Sequence, residues 1–343
     1  MEFALLLSAG RVRPFAVVAR RQWQMESGSK RITFILNPAS GTQSKAQVHG
    51  WIEQYIDRRI YLPEVVYTDH AGHATDIAEQ CAGSGAFAVV AVGGDGTVNE
   101  VARALIHTDT ALGIIPCGSG NGLARHLRIP LSAPKAMELI NGGRVRLMDY
   151  GMMNDTPFFC TCGVGFDAFV SLKFSQAGRR GPLIYLEKAL TEGLTYKPEV
   201  YHVEIDGNES TYKAFLIACG NASQYGNNAY IAPHAALSDG LLDVTILEPF
   251  TPLDVPALAF QLFNRTIDQN SCIKSFQCRR VRIRRSSPGV VHFDGDPMEM
   301  DTELDIRIVK DGLKVIGGRK PQKPKTILEN RLKYIFGGRQ TNK

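Results

Sequence analysis

From Arg31 onward the chain alternates between two kinds of hydrophobic pattern. Ile32-Thr33-Phe34-Ile35-Leu36 is an almost wholly apolar run, as expected for a parallel strand covered on both faces. After the turn-rich Asn37-Pro38-Ala39-Ser40-Gly41, apolar residues at Val48, Trp51, Ile52, Tyr55 and Ile56 recur at helical spacing. The alternation repeats. Val65-Val66-Tyr67 precedes an expected helix from about His73 to Cys81, and Phe87 to Val92 runs into Gly93-Gly94-Asp95-Gly96. The helix after that loop carries Val98, Val101, Ala102 and Leu105 on one face. Ala111 to Ile115 then leads into Pro116-Cys117-Gly118-Ser119-Gly120-Asn121-Gly122 and a short helical piece through Leu127. Four strand-helix alternations predict an open parallel sheet, in which a ligand binds beyond the carboxyl ends of the strands.

Near Val145 the rhythm changes. Strand-like runs follow at Phe158 to Cys162, Val200 to Ile205, Ala214 to Cys219, Leu242 to Leu247, Phe276 to Arg284 and Leu304 to Val309. Helical intervals at about 182 to 196 and 252 to 263 interrupt them. This half predicts an antiparallel β-sandwich joined to the first domain without a disordered linker. The expected division is an extension over 1–30, an α/β domain over 31–147, a sandwich over 148–318 and a basic tail over 319–343 that packs partly back on the first domain.

A length of 343 residues suits two such domains. Hydrophobic content of 44% with 21% charged residues is that of an ordinary globular protein, and no apolar run approaches the roughly 20 residues that span a bilayer. The net charge of +5 is modest, but residues 318–343 hold eight Lys and Arg against one acid, Glu329. Such a tail suits anionic lipid heads, nucleic acid or plain solvation. The 7 cysteines are scattered, lack zinc spacing and sit mostly in apolar segments, as small buried groups do in a reducing compartment. In the first 24 residues the basic side chains follow the apolar stretch from Phe3 to Ala9, the reverse of a secretory signal. Met25 reads as an alternative start, with 1–24 a disordered or artefactual extension.

Three glycine-rich loops follow three strands of the expected parallel sheet and so leave it at one edge. Successive backbone N–H groups in such turns, with a helix N-terminus just beyond, suit phosphate. Glycine permits the conformations and close approach that a polyphosphate needs. Taken alone, Gly93-Gly94-Asp95-Gly96-Thr97 reads equally as a structural turn with Thr97 capping the next helix. The chain contains no Gly-x-x-x-x-Gly-Lys-Ser/Thr, and Gly118-Ser-Gly120-Asn-Gly122 lacks the dinucleotide-fingerprint spacing. A P-loop enzyme and an ordinary dehydrogenase are therefore disfavoured.

Asn37-Pro38-Ala39-Ser40-Gly41, Gly93-Gly94-Asp95-Gly96-Thr97-Val98-Asn99-Glu100 and Pro116-Cys117-Gly118-Ser119-Gly120-Asn121-Gly122-Leu123-Ala124-Arg125 resemble the sequence blocks of the diacylglycerol kinase catalytic domain superfamily, which includes sphingosine and ceramide kinases. Their order and spacing match over about residues 31 to 318. The resemblance implies an NAD-kinase-like first domain, a β-sandwich second domain, and ATP in the cleft between them. It implies ATP contacts from Asn37, Pro38, Ala39, Ser40 and Gly41, from Thr68, from Gly94, Asp95, Gly96, Thr97, Val98, Asn99 and Glu100, and from Ser119. Asp95 would orient the magnesium-nucleotide or assist proton transfer; as a local reading, it braces the loop through backbone amides.

The same resemblance assigns a structural Mg2+ to the Asp239 carboxylate and the carbonyls of Leu241 and Ala236, in Ser238-Asp239-Gly240-Leu241-Leu242-Asp243. A plain Asp-Gly hairpin turn is the alternative. His292-Phe293-Asp294-Gly295-Asp296-Pro297 resembles the block that supplies the general base, with Asp296 where many relatives carry glutamate. Asp149, in Asp149-Tyr150-Gly151, resembles a position near the acceptor lipid and either binds its polar head or caps a domain junction. His126 and His234 read as satisfied structural histidines. Arg280, Arg282 and Arg284 alternate with Val281 and Ile283, placing three guanidinium groups on one strand face, where they meet anionic lipid heads or solvent.

The expected activity is transfer of the γ-phosphate of ATP to the hydroxyl of a diacylglycerol or sphingoid base, by a cytoplasmic protein working at a membrane surface. A homodimer is compatible with it, and nucleic acid is not an expected partner. Two other readings remain. NAD kinases, which act on a soluble substrate, share the Gly-Gly-Asp-Gly element, although the Asn-Pro-Ala-Ser-Gly and Gly-Ser-Gly-Asn blocks speak against them. A non-catalytic basic membrane-binding protein would retain the fold alone.

Overall fold

The computed structural model describes residues 29–38, 45–176 and 196–317. The extension through residue 28, Ala39, Ser40, Gly41, nearly all of the helix expected over 182–196 and the basic tail lie outside them. β1 (Lys30–Leu36), β2 (Tyr61–Tyr67), β3 (Ala88–Gly93) and β4 (Ala111–Pro116) are parallel, in the order β2-β1-β3-β4. β3 and β4 are buried at every position, which is why their sequences show no polar alternation. β2 tolerates Pro63 because it lies at the sheet edge, where a missing N–H breaks no ladder on the open side.

α1 (Lys45–Tyr55), α2 (His73–Gly83), α3 (Asp95–Leu105), α4 (Gly122–His126) and α5 (Ala133–Asn141) connect and cover these strands. α1 packs on α5, and α2 packs on α3. Val98, Val101, Ala102 and Leu105 of α3 are buried, as their spacing predicts. α5 is an addition to the expected elements. Its Ala133, Ala136, Met137 and Ile140 make a short buried stripe behind Pro134 in the first turn.

Beyond it the chain lays down β5 (Val145–Met153), β6 (Thr156–Phe158), β7 (Thr161–Gly165), α6 (Phe166–Gln176), β8 (Glu199–Ile205), β9 (Asn208–Ala214), β10 (Leu216–Gly220) and β11 (Leu242–Leu247). α7 (Val255–Phe263), β12 (Ile273–Cys278), β13 (Arg280–Arg285), β14 (Gly289–Phe293), β15 (Asp296–Met300) and β16 (Glu303–Ile316) complete it. Six strands form an antiparallel sheet in the order β12-β11-β10-β7-β14-β15. Its inner face meets β8, β13 and β16 across a core that includes Val164, Ile217, Val244, Tyr201, Ile283 and Ile306. The fold is therefore a parallel α/β sheet followed by an antiparallel sandwich, as the pattern predicts.

Two features depart from that prediction. The run Phe276 to Arg284 is two strands in different sheets, broken at Arg279; the amides of Arg279 and Arg280 donate to the Asp206 carboxylate at 3.1 and 3.0 Å. The strand expected over Leu304 to Val309 is 14 residues long and joins the two halves. β16 pairs antiparallel with β13 and β5, shifts register between Val309 and Leu313, and meets β4 in parallel at Val315 beside Leu112. One sheet of ten strands thus runs from the first half into the second.

The arginine strip of β13 does not present free charge to a membrane. Arg280 pairs with Asp305 at 2.6 Å, Arg282 with Glu204 at 3.0 Å and Arg284 with Glu303 at 3.1 Å. Among the described residues no helix is long and apolar enough to cross a membrane.

Leu112 is fully buried where the two halves join. Leu112→Ala should cost about 2 to 5 kcal/mol of stability, seen as a lower urea midpoint at constant slope; a loss under about 1 kcal/mol would show that the junction is not close-packed.

Candidate functional site

The parallel register decides where the loops emerge. Leu36 lies beside Tyr67 and Val92, and Gly93 lies beside Pro116, so Asn37, Thr68, Gly94 and Cys117 leave the sheet at one edge. The ladders continue one step beyond the strands: Thr68 N donates to Leu36 O at 3.0 Å and Cys117 N to Gly93 O at 2.8 Å. A Cβ on Gly118 would lie 2.5 Å from Gly94 Cα, and one on Gly120 would lie 2.7 Å from Asp95 Oδ2. The second and third glycine loops therefore pack backbone against backbone, which no larger residue allows. Asn121, in the left-handed region at φ 52°, accepts from Gly118 N at 3.1 Å and donates to Gly118 O at 2.6 Å.

Asp95 begins α3, and its carboxylate accepts the amides of Asn121 and Gly122 at 2.8 and 2.7 Å. Burial raises its pKa, the two amide bonds oppose that, and the nearby charge of Asp296 adds to the rise. This is the bracing arrangement, set beside a second carboxylate. Thr97 packs over Gly93 and takes a hydrogen bond from Asn37 Nδ2 at 3.3 Å. Gly96 and Ser119 are exposed at the loops, and Thr68 is buried at the edge. Two further residues expected at the nucleotide, Val98 and Glu100, turn their side chains away from the loop edge. Val98 is part of the core, and the Glu100 carboxylate caps α2 by accepting Ala74 N at 3.2 Å.

From the second half comes the β14–β15 hairpin, whose turn residues Asp294 and Gly295 have φ values of 52° and 95°. Asp294 Oδ1 accepts the amides of Cys160 and Thr161 at 2.7 and 3.0 Å. Its Oδ2 accepts Phe159 N at 2.9 Å and Asn99 Nδ2 at 2.6 Å. Burial nevertheless pushes its pKa up to about 6. The bond to Asn99, a buried residue of α3, ties this hairpin to the glycine loops. Asp296, two residues on, is exposed on the same turn. Sequence reasoning gave Asp294 no role; an Asp-Gly pair between two apolar runs was the available signal.

Asp149 is fully buried, and both its oxygens are used. Oδ2 accepts Gly240 N and Oδ1 accepts Asp311 N, each at 2.8 Å. In the structure it ties β5 to the Asp239-Gly240 turn and to the irregular part of β16, the junction of its two readings. Asp239 is exposed and accepts Leu241 N at 3.0 Å. Partial desolvation of the carboxyl by its neighbours and the charge of Asp149 raise its pKa, a shift that a bound cation would oppose. With the carbonyls of Leu241 and Ala236 the donors are all oxygen, which fits Mg2+.

His234 and His126 are structural, as expected. His234 Nε2 pairs with Asp268 at 3.1 Å. His126 of α4 accepts Ser223 N on Nδ1 at 2.9 Å, joining the third glycine loop's helix to the segment after β10. Burial, with Arg265 and Arg128 nearby, lowers its pKa to about 4. A buried pair missed by the sequence reading lies behind the hairpin: His292 Nε2 is 3.0 Å from Asp167 Oδ2, which also accepts the Tyr225 hydroxyl at 2.9 Å.

A parallel sheet edged with glycine loops thus meets a sandwich hairpin that carries carboxylates. Residues 31–153 match the diacylglycerol kinase catalytic domain, and residues 160–317 match the YegS C-terminal NAD kinase beta sandwich-like domain. The chain belongs to the diacylglycerol kinase catalytic domain family. It is 29% identical over 297 residues to an uncharacterized protein of Synechocystis sp., covering 82% of this chain and 65% of that relative. The chain thus spans just under two thirds of that relative's length. It is 29% identical over 279 residues to a Mycobacterium tuberculosis protein named diacylglycerol kinase, covering 78% of this chain and 88% of the relative. The fold is similar to the crystal structure of a diacylglycerol kinase from Bacillus anthracis, with a TM-score of 0.65 and 19% identity over 86% of this chain and 98% of that one.

His126 gives a pH test. Its folded pKa lies below the unfolded value near 6.5, so the unfolded chain binds the extra proton first and stability falls as pH drops from about 6.5 toward 4. His126→Asn, which keeps an acceptor that cannot be protonated, should flatten this part of a melting-temperature profile. An equally steep profile in the variant would assign the acid sensitivity elsewhere.

Proposed function

We propose that this chain is an ATP-dependent lipid kinase that transfers the γ-phosphoryl group to a lipid hydroxyl, with diacylglycerol the first candidate acceptor and a sphingoid base the second. One observation carries the reading. The Asn99–Asp294 hydrogen bond brings the hairpin with Asp296 to the edge where the glycine loops meet. Family membership supports phosphoryl transfer, and the name of the Mycobacterium tuberculosis relative supports diacylglycerol.

In this reading the amides of Asn37 to Gly41, Gly94 to Thr97 and Ser119 receive the phosphates, and Thr68 lines the same edge. Asp95 holds the start of α4 in place, so that the third loop keeps its shape against the second. Asp296 accepts the proton of the lipid hydroxyl as its oxygen attacks the γ-phosphorus. Burial raises the proton affinity of Asp95, and the charge of Asp296 adds to that rise, so the two carboxylates sense each other electrostatically. Mg2+ supplies charge neutralisation at the phosphates when bound, and Asp239, Leu241 and Ala236 offer the oxygens for a separate ion at their turn. Work at a membrane surface follows from the acceptor's insolubility, and use of ATP favours the cytoplasmic face.

The test is incorporation of labelled γ-phosphate from ATP into organic-extractable product, with diacylglycerol or a sphingoid base in detergent micelles. Asp296→Asn should lower turnover about 100- to 10,000-fold with unchanged unfolding, since the residue is exposed, while Asp296→Glu should keep part of the activity. Unchanged turnover in Asp296→Asn removes the base assignment. Label found only in NAD overturns the lipid acceptor.

A further inference from the structure

The turn between β2 and α2 carries three potential ligands that the phosphate reading does not use: Asp69, His70 and His73. Gly72, at φ 86°, folds the chain back so that the two imidazoles stack, with centroids 4.7 Å apart and planes 8° from parallel. Both rings turn Nδ1 toward the same atom, Oδ1 of Asp69. His73 reaches it at 2.6 Å, and His70 makes a short contact of its own. One ligand atom from each residue lies within 4.8 Å of the other two. His73 is buried while Asp69 and His70 are exposed, so the cluster is anchored on one side and open to solvent on the other.

The local charge permits a cation. A helix N-terminus ordinarily repels one. Here the Glu100 carboxylate already accepts the Ala74 amide of α2 and places a negative charge at that end. Two imidazole nitrogens and one carboxylate oxygen are the donors of a three-ligand zinc site whose fourth position holds water. They do not match Mg2+, which takes oxygen donors in octahedral array.

We propose that Asp69, His70 and His73 form a transition-metal site for which Zn2+ is the best-matched ion. It is separate from magnesium at the phosphates and independent of the kinase reading. On binding, the ion takes the Nδ1 lone pairs and each ring ends neutral with its proton on Nε2: a ring protonated on both nitrogens releases the Nδ1 proton to solvent, and a neutral Nδ1–H ring exchanges it for one on Nε2. Thr68, the residue before Asp69, is bonded to Leu36 at the sheet edge, so the ion would fix the turn next to the glycine loops.

The experiment uses the full chain stripped with a chelator, titrated with Zn2+ in a calorimeter and with Co2+ as an absorbance probe. One ion per chain is expected, with the intense visible bands of four-coordinate Co2+. His70→Ala and Asp69→Asn, both exposed and so harmless to the fold, should each weaken binding at least about tenfold. The assignment is overturned if the wild-type chain binds neither ion, or if both variants bind as tightly as wild type with the same spectrum. A weak six-coordinate Co2+ spectrum insensitive to His70→Ala also overturns it, since the ion would then sit on oxygen ligands elsewhere.

Discussion

The carboxylate of Asp294 is the contact on which the arrangement of the site depends. Its four acceptor bonds go to three consecutive amides, those of Phe159, Cys160 and Thr161, and to the side chain of Asn99 in the other half. A charge-assisted bond of this kind is worth about 1.5 to 3 kcal/mol, and leaving such a group unpaired costs more. The hairpin is thereby held to α3, and Asp296 acquires a fixed address opposite the glycine loops.

The same device recurs. Asp95, Asp149 and Asp294 each aim a carboxylate at backbone amides and so shape loops. Asp239 and Asp296 are exposed instead, the condition for meeting a ligand. The chain thus separates acids that brace loops from acids that face solvent, and sequence gives no direct view of burial at a turn. That is why Asp149 resembled a substrate residue and yet lies buried at a junction, while Asp294 passed unassigned.

The parallel half was legible because its strands are buried on both faces, a condition that leaves an unmistakable apolar run between glycine turns. The loops were legible for a related reason: only glycine fits where Gly94 and Gly118 touch. The sandwich was harder. Phe276 to Arg284 is continuous in hydropathy, yet the chain changes sheets at Arg279, because what breaks the strand is the distant Asp206 carboxylate. The arginines of β13 alternate as a surface strip should, but their partners Asp305, Glu204 and Glu303 come from neighbouring strands. α5 and α6 were missed for opposite reasons: α5 has only a short stripe, while α6 is apolar on most sides and shows no helical period.

β16 has a mechanical consequence. Two lobes joined by a flexible tether open and shut as rigid bodies, but here a single strand lends its first half to one lobe and its last residues to the other. Separating them as blocks would strip backbone hydrogen bonds from the seam. Any opening of the cleft is therefore a torsion of the shared sheet, and the irregular stretch between Val309 and Leu313, pinned through Asp311 to Asp149, is where that torsion would concentrate.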